Sequence, residues 1–212
     1  MLQPAYSEKT LTLRSTGAAV LALKQRLDAL HYDVGTVNAK FDWQTWQAVV
    51  AFQKVNRLKR TGKASVEVQQ LIASADAPGP LIPNGGKERV EVDISRQVLF
   101  LFHQNELFKV IPISSGSGRH YCEISKKTQA QTCGDATTPL GNFKIQRRIP
   151  GWHESDLGKL YNPLYFNGGF AIHGALSVPA GPASHGCVRI PMNVAEWFPD
   201  EVRNGTSVYL FE

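Results

Sequence analysis

The residues able to do chemistry gather in one stretch, Ser184-His185-Gly186-Cys187-Val188-Arg189, with a second histidine upstream in Ala171-Ile172-His173-Gly174. A thiol, two imidazoles and a guanidinium thus fall within seventeen positions, with a glycine beside each histidine. Only the thiolate attacks well, and a neighbouring imidazole can take the thiol proton. His185 lies two residues from Cys187, so on an extended segment the two side chains share a face. His173 comes from a separate strand end and can face the sulfur across a site, which favours it as the general base. The N–H groups of His185, Gly186 and Cys187 are natural oxyanion donors, because glycine permits a tight turn that aims them at one point. Arg189 offers a charged fork to a carboxylate. Two other chemistries fit the same residues. His173, His185 and Cys187 supply three zinc ligands, without an obvious fourth, and a buried thiol near ordinary histidines is the plainest reading.

These groups need elements to hold them. From Lys87 the apolar period is two: Val90, Val92 and Ile94 alternate with Glu91 and Asp93. Strands are predicted over 97–102, 107–113, 143–148, 170–173 and 207–211, with a turn at 103–106 and one or two helical turns over 194–198. Strands without regular intervening helices predict a β-sandwich or barrel, not a parallel α/β sheet. The first part differs. Val20, Leu23, Leu27 and Leu30 lie on one helical face. Asp42 caps a second helix that turns Ala48, Val49, Phe52 and Val55 inward, and Ser65 caps a third. Between the two parts, proline and glycine crowd residues 74–86. The fold class is therefore α+β in two domains: a small three-helix bundle over 9–75, a linker over 76–86, and an all-β sandwich over 87–212.

A chain of 212 residues is comfortable for two domains. The net charge of +5 and pI near 9.2 suit an acidic polymer, cell-wall material or nucleic acid, and also suit simple solubility. No basic run is interleaved with aromatics, so nucleic acid is not favoured. Of three cysteines, Cys122 and Cys133 are close enough in sequence to staple one loop, which would leave Cys187 free. Two unpaired buried thiols are the other possibility. A bridge would imply an oxidising compartment. Residues 1–8 are too short and too polar for a secretory leader, and no apolar run reaches membrane-spanning length.

Two resemblances organise these observations. Leu23-Lys24-Gln25-Arg26-Leu27, Thr45-Trp46-Gln47-Ala48-Val49-Val50-Ala51-Phe52-Gln53 and the closing Thr61-Gly62 segment resemble the three-helix peptidoglycan-binding module of cell-wall enzymes, with departures at His31 and Ala39, where the family usually has glycine. The Ser184–Arg189 string after Ile172-His173-Gly174 resembles the signature of the L,D-transpeptidase catalytic domain, the YkuD-like fold. Val92-Asp93-Ile94-Ser95-Arg96-Gln97, Ile113-Ser114-Ser115-Gly116 and Thr138-Pro139-Leu140-Gly141-Asn142-Phe143 resemble its other segments, in order. The spacing from His173 to Cys187 is shorter than in many members, and the Cys122–Cys133 pair lies outside the family's core pattern.

The resemblance implies a set of roles. Cys187 would attack the amide before the terminal D-alanine of a peptidoglycan tetrapeptide stem, and an amine of a second stem would resolve the thioester into a 3→3 crosslink. His173 would be base and then acid, oriented by the Gly174 carbonyl. Ser184 and His185 would shape the site, and Arg189 would meet a substrate carboxylate. Trp152, Tyr161 and Phe166 would belong to a flap over 151–169, with burial in the sandwich core as the competing reading. The resemblance implies no metal and no cofactor. It implies peptidoglycan stem peptides and glycan as partners, carbapenem β-lactams as inhibitors, and export to the periplasm or cell wall with the leader outside this sequence. An L,D-carboxypeptidase using the same thioester, and a non-catalytic wall-binding protein, are the competing functions.

Overall fold

The computed structural model describes residues 7–125 and 129–212. Most of the polar stretch judged too short for a leader lies outside them. Three helices come first: α1 (Ala18–Ala29), α2 (Trp43–Val55) and α3 (Val66–Ser74). Val20, Leu23 and Leu27 are buried along α1, as their spacing requires. The Asp42 carboxylate accepts the Thr45 N–H at 2.8 Å, and the Ser65 hydroxyl accepts the Val68 N–H at 3.3 Å. Each cap satisfies a donor that the helix leaves open, worth about 1 kcal/mol. His31, one of the departures from the resembled module, adopts a left-handed φ of 68°. Its carbonyl accepts the Val110 N–H at 2.8 Å, a bond that ties the helical module to the sheet beyond it.

The rest of the chain is β1 (Arg89–Asp93), β2 (Val98–His103), β3 (Glu106–Pro112), β4 (His120–Ile124), β5 (Gln131–Asp135), β6 (Gly141–Lys144), β7 (Arg147–Arg148), β8 (Trp152–Ser155), β9 (Gly158–Asn167), β10 (Phe170–Ala175), β11 (Val188–Pro191), α4 (Met192–Glu201) and β12 (Ser207–Phe211). One sheet runs β3-β2-β1-β12-β6. A second runs β11-β10-β9-β7, with β8 also paired to β9, and β4–β5 is a separate hairpin. The helical turns expected near 194–198 are the full helix α4, which closes one end of the sandwich. Its apolar residues Val194, Ala195 and Phe198 join Val90, Val92, Leu99, Leu101, Leu164, Ile172, Val188 and Ile190 in a single core.

At β1 and β2 the first sheet is buried on both faces. Leu99 and Leu101 point into the sandwich core, whereas Val98, Phe100 and Phe102 share a cluster with Leu27, Tyr32 and Phe52 of the helical module. The alternation in β1 suggested polar residues facing water, but Glu91 is fully buried. It lies opposite Phe100 in the ladder, on the face that the module and linker cover. Glu91 pairs with buried Arg89 at 2.7 Å and accepts the Leu81 N–H of the linker at 2.7 Å. The linker is thus fastened to the sheet. Lys54 of α2, also buried, donates to the Ile113 carbonyl at 2.7 Å, and Asp28 pairs with Lys109 at 3.0 Å. Period-2 patterning shows which residues share a face, but not that a second module covers it.

Candidate active site

The site is built on the β10–β11 ladder. These strands pair in parallel, with Ile172 opposite Val188 and His173 opposite Arg189. Ile172, Val188 and Ile190 face the core, so residues of the other parity, Ala171, His173 and Arg189, line the opposite face. Cys187, immediately before β11, belongs to that face and packs against Leu160, Tyr165 and Ala171. Tyr165 lies opposite Ala171, and Arg147 lies opposite Tyr165 with its guanidinium 3.5 Å from the ring centre. Tyr165 and Arg147 escaped the sequence reading. Their parity relative to the cysteine was the available signal, and it required the strand pairing.

His173 is 5% exposed. Its Nδ1 lies 2.9 Å from the Gly174 carbonyl oxygen. A carbonyl only accepts, so Nδ1 carries the proton and the Nε2 lone pair is left for another group. Burial pushes the imidazole pKa down to about 4. The Gly174 carbonyl opposes this, and the Arg189 charge adds to it. Burial pushes the Cys187 thiol above its ordinary value, while the Ala171 N–H and Arg189 pull it back. The Ala171 N–H donates to Sγ at 3.4 Å, and Sγ lies 3.8 Å from the Gly169 carbonyl, the acceptor for the thiol hydrogen. Both shifts favour the neutral forms, thiol and imidazole, near neutral pH.

The turn before Cys187 is locked from within. Gly186 has φ 128°, and a Cβ there would stand 2.5 Å from the Phe170 ring and 3.0 Å from the Thr137 carbonyl oxygen. Thr138 donates its hydroxyl to the Gly186 carbonyl at 2.7 Å and accepts the Gly116 N–H at 2.8 Å, so the Ser-x-Gly and Thr-Pro segments both brace this turn. Two expectations need correction. The Gly186 N–H is already bonded to the Ser184 hydroxyl at 3.0 Å, so of the three N–H groups expected to hold an oxyanion this one is taken. Ser184 is 3% exposed and donates to the Cys187 carbonyl at 2.6 Å. It fixes the turn and does not line a substrate cleft.

The expected flap is the β8–β9 hairpin, with different residues toward the cysteine. Phe166 is fully buried in the sandwich core. Tyr161 turns to α4, where its hydroxyl donates to Glu196 at 3.1 Å, and half-exposed Trp152 leans on the Tyr161 ring at 5.1 Å. The neighbours of opposite parity, His153 and Leu160, come to the Tyr165 side instead. Phe166 thus follows the competing core reading, and Trp152 and Tyr161 lie on the α4 side of the hairpin. Cys122 and Cys133 form a disulfide across β4–β5, and Cys187 is free. The hairpin also reaches the site: the Tyr121 ring meets the His185 ring edge-on at 4.9 Å. Among the described residues, the His, Cys and acidic side chains that cluster like metal ligands are His120, Cys122 and Cys133, with both sulfurs in the bridge. His173, His185 and Cys187 do not converge in that way.

Comparison with known proteins follows the same division of the chain. The family described as the L,D-transpeptidase catalytic domain matches residues 87–210, and the putative peptidoglycan binding domain matches residues 16–72. The solved L,D-transpeptidase of Xylanimonas cellulosilytica (its residues 123–326) is 36% identical, with a TM-score of 0.87 over 98% of this chain and 100% of that one. An L,D-transpeptidase from Stackebrandtia nassauensis shares the fold at 21% identity, with a TM-score of 0.54 over 98% of each chain. No curated protein matches.

Proposed function

The chain belongs to the L,D-transpeptidase catalytic-domain family, and from that premise we propose that it is a cysteine transpeptidase of peptidoglycan, in which Cys187 is the nucleophile and His173 the general base. In this reading 87–212 carries the chemistry, 9–75 is the wall-binding module and 76–86 joins them. The observation that carries it is the Gly174 carbonyl holding Nδ1 of a buried imidazole beside the strand that follows Cys187. That bond fixes the tautomer with its acceptor nitrogen free.

The sulfur attacks the carbonyl of the L,D-amide before the terminal D-alanine of a tetrapeptide stem, and its proton passes to His173 Nε2. The His185 and Cys187 N–H groups take up the charge on the oxygen. The C–N bond then breaks, and His173 returns the proton to the departing D-alanine amine. The side-chain amine of a second stem attacks the thioester and gives its proton to His173. The C–S bond breaks and the sulfur takes the proton back from His173, leaving a 3→3 crosslink and the free thiol. Arg189, on the same face as Cys187, is suited to a substrate carboxylate, and His185 lines the approach. The reading places the protein outside the cytoplasm. Among the described residues no helix is long and apolar enough to cross a membrane.

Purified protein incubated with disaccharide-tetrapeptide monomer and examined by mass spectrometry should yield crosslinked dimer and free D-alanine. Tripeptide monomer alone would replace this reading with the L,D-carboxypeptidase, in which water resolves the thioester. Imipenem should add one adduct to the intact chain and none to Cys187→Ala. An adduct that survives the substitution would remove Cys187 from the role.

A further inference from the structure

The two modules enclose a groove that the proposed reaction leaves unused. Its cavity, about 480 Å³, is walled on one side by Trp43, Gln44, Trp46 and Gln47 of α2 and on the other by Leu176 and Asn193, from the segment after β10 and the start of α4. That volume lies within the roughly 300–1,000 Å³ of small-molecule sites. No charged side chain lines it, which argues against a phosphate, an acidic peptide or a nucleic acid and for a neutral ligand. The Trp43 and Trp46 rings are stacked, 4.4 Å apart and within 5° of parallel, and Trp43 is 55% exposed. Gly62, at φ 66°, leaves the room that the Trp46 indole fills, since a Cβ there would strike the ring. Among the described residues the Gln44 and Gln47 side-chain amides, both in the lining, have no hydrogen-bond partner; Gln47 is 8% exposed, and Leu176 across from them is 85% exposed.

An electron-rich aromatic face takes the C–H face of a pyranose. Unpartnered primary amides can both donate to and accept from an N-acetyl group, and an exposed leucine can cover its methyl. The location agrees with this chemistry. Ala175 and Pro191, which pair at the end of the β10–β11 ladder, line the groove. They lie two residues beyond His173 and four beyond Cys187, on the same face. At ~3.3 Å per residue the groove begins about 13 Å along β11 from the cysteine. Three extended stem residues span about 10 Å. We infer that this groove binds the N-acetylhexosamine disaccharide bearing the stem whose third residue reaches Cys187, an inference that rests on the proposed function.

The test is calorimetric titration of the full chain with the N-acetylglucosaminyl–N-acetylmuramic acid disaccharide whose lactyl carboxyl is capped as a methylamide, a neutral probe carrying no peptide. The intact chain should bind it. Trp43→Ala should weaken binding at least tenfold, Trp43→Phe should restore most of it, and Leu176→Asp, at an exposed loop position, should also weaken it. Circular dichroism of each variant checks that the fold is kept. No binding by the intact chain, or equal binding by Trp43→Ala and Leu176→Asp, would overturn the assignment. The sugar has no scissile bond, so the two readings fail separately: missing crosslinks with sugar binding intact count against the reaction, and missing sugar binding with crosslinks intact counts against the groove.

Discussion

A half-buried thiol held above its ordinary pKa, with an imidazole held near 4 on the same face, differs chemically from a thiolate–imidazolium pair. The difference is measurable as the rate of iodoacetamide alkylation of Cys187 against pH. That rate should be low at neutral pH and rise through the alkaline range, because thiolate accumulates only there. A plateau already reached below neutrality would show that the resting pair is ionic. Turnover should fall as pH drops toward about 4, where Nε2 takes a proton and can no longer serve as base. Ser184 gives a second test at this scale. Its hydroxyl closes both the Gly186 N–H and the Cys187 carbonyl, so Ser184→Ala should cost about 1–3 kcal/mol of unfolding free energy in a denaturant titration. A substrate-binding role would raise KM and leave stability alone. Cys187, His173 and Arg189 stand out by residue type and spacing, and the Gly174 carbonyl follows from the family resemblance. The internal use of Ser184 could not, because a hydroxyl beside a nucleophile reads the same whether it faces substrate or backbone.

At the scale of elements, two hairpins flank the site, and parity decides what each presents. In β8–β9, Trp152 and Tyr161 fall on the α4 side while His153 and Leu160 fall on the cysteine side. Composition marked this segment as a flap, but only the register told its faces apart. The β4–β5 hairpin was legible as a pair of cysteines and illegible as a neighbour of the site, since nothing local links Tyr121 to His185. Its bridge closes a short loop and contributes on the order of 3 kcal/mol by constraining the unfolded chain. Alkylation of the folded, unreduced protein should label Cys187 alone, counted by mass spectrometry. Replacing both Cys122 and Cys133 with serine should speed proteolysis within 120–135 and lower turnover several-fold, as the Tyr121 ring ceases to buttress His185.

At the scale of the molecule, the helical module forms a third layer on the first sheet. Three helices and a sandwich could each be read from hydrophobic periodicity, but their docking depends on which faces are left uncovered, and that is a tertiary fact. Lys54 makes the junction measurable. Burial, with Arg60 adding to it, lowers its ammonium pKa to about 7, against about 10.4 in an unfolded chain. Between those values the unfolded chain binds the extra proton, so stability rises with pH across that window. Denaturant midpoints should climb from pH about 7 to about 10 in the intact protein and climb less in Lys54→Met. Expressing 87–212 alone would strip the cover from Val98, Phe100, Phe102 and Val110, and the fragment should bind hydrophobic dye and aggregate where the full chain remains monodisperse.

The fastened linker has a kinetic consequence. A catalytic unit on a slack tether sweeps a volume around its anchor and gains an effective concentration set by the tether's length. Here Leu81 is bonded to Glu91 and His31 to Val110, so under the proposed function a grip on a strand by the helical layer would let Cys187 reach stems at one set offset from that grip and no others. To act at the next position the whole body must let go and land again, and the spacing of its products along the wall would record the width of the protein.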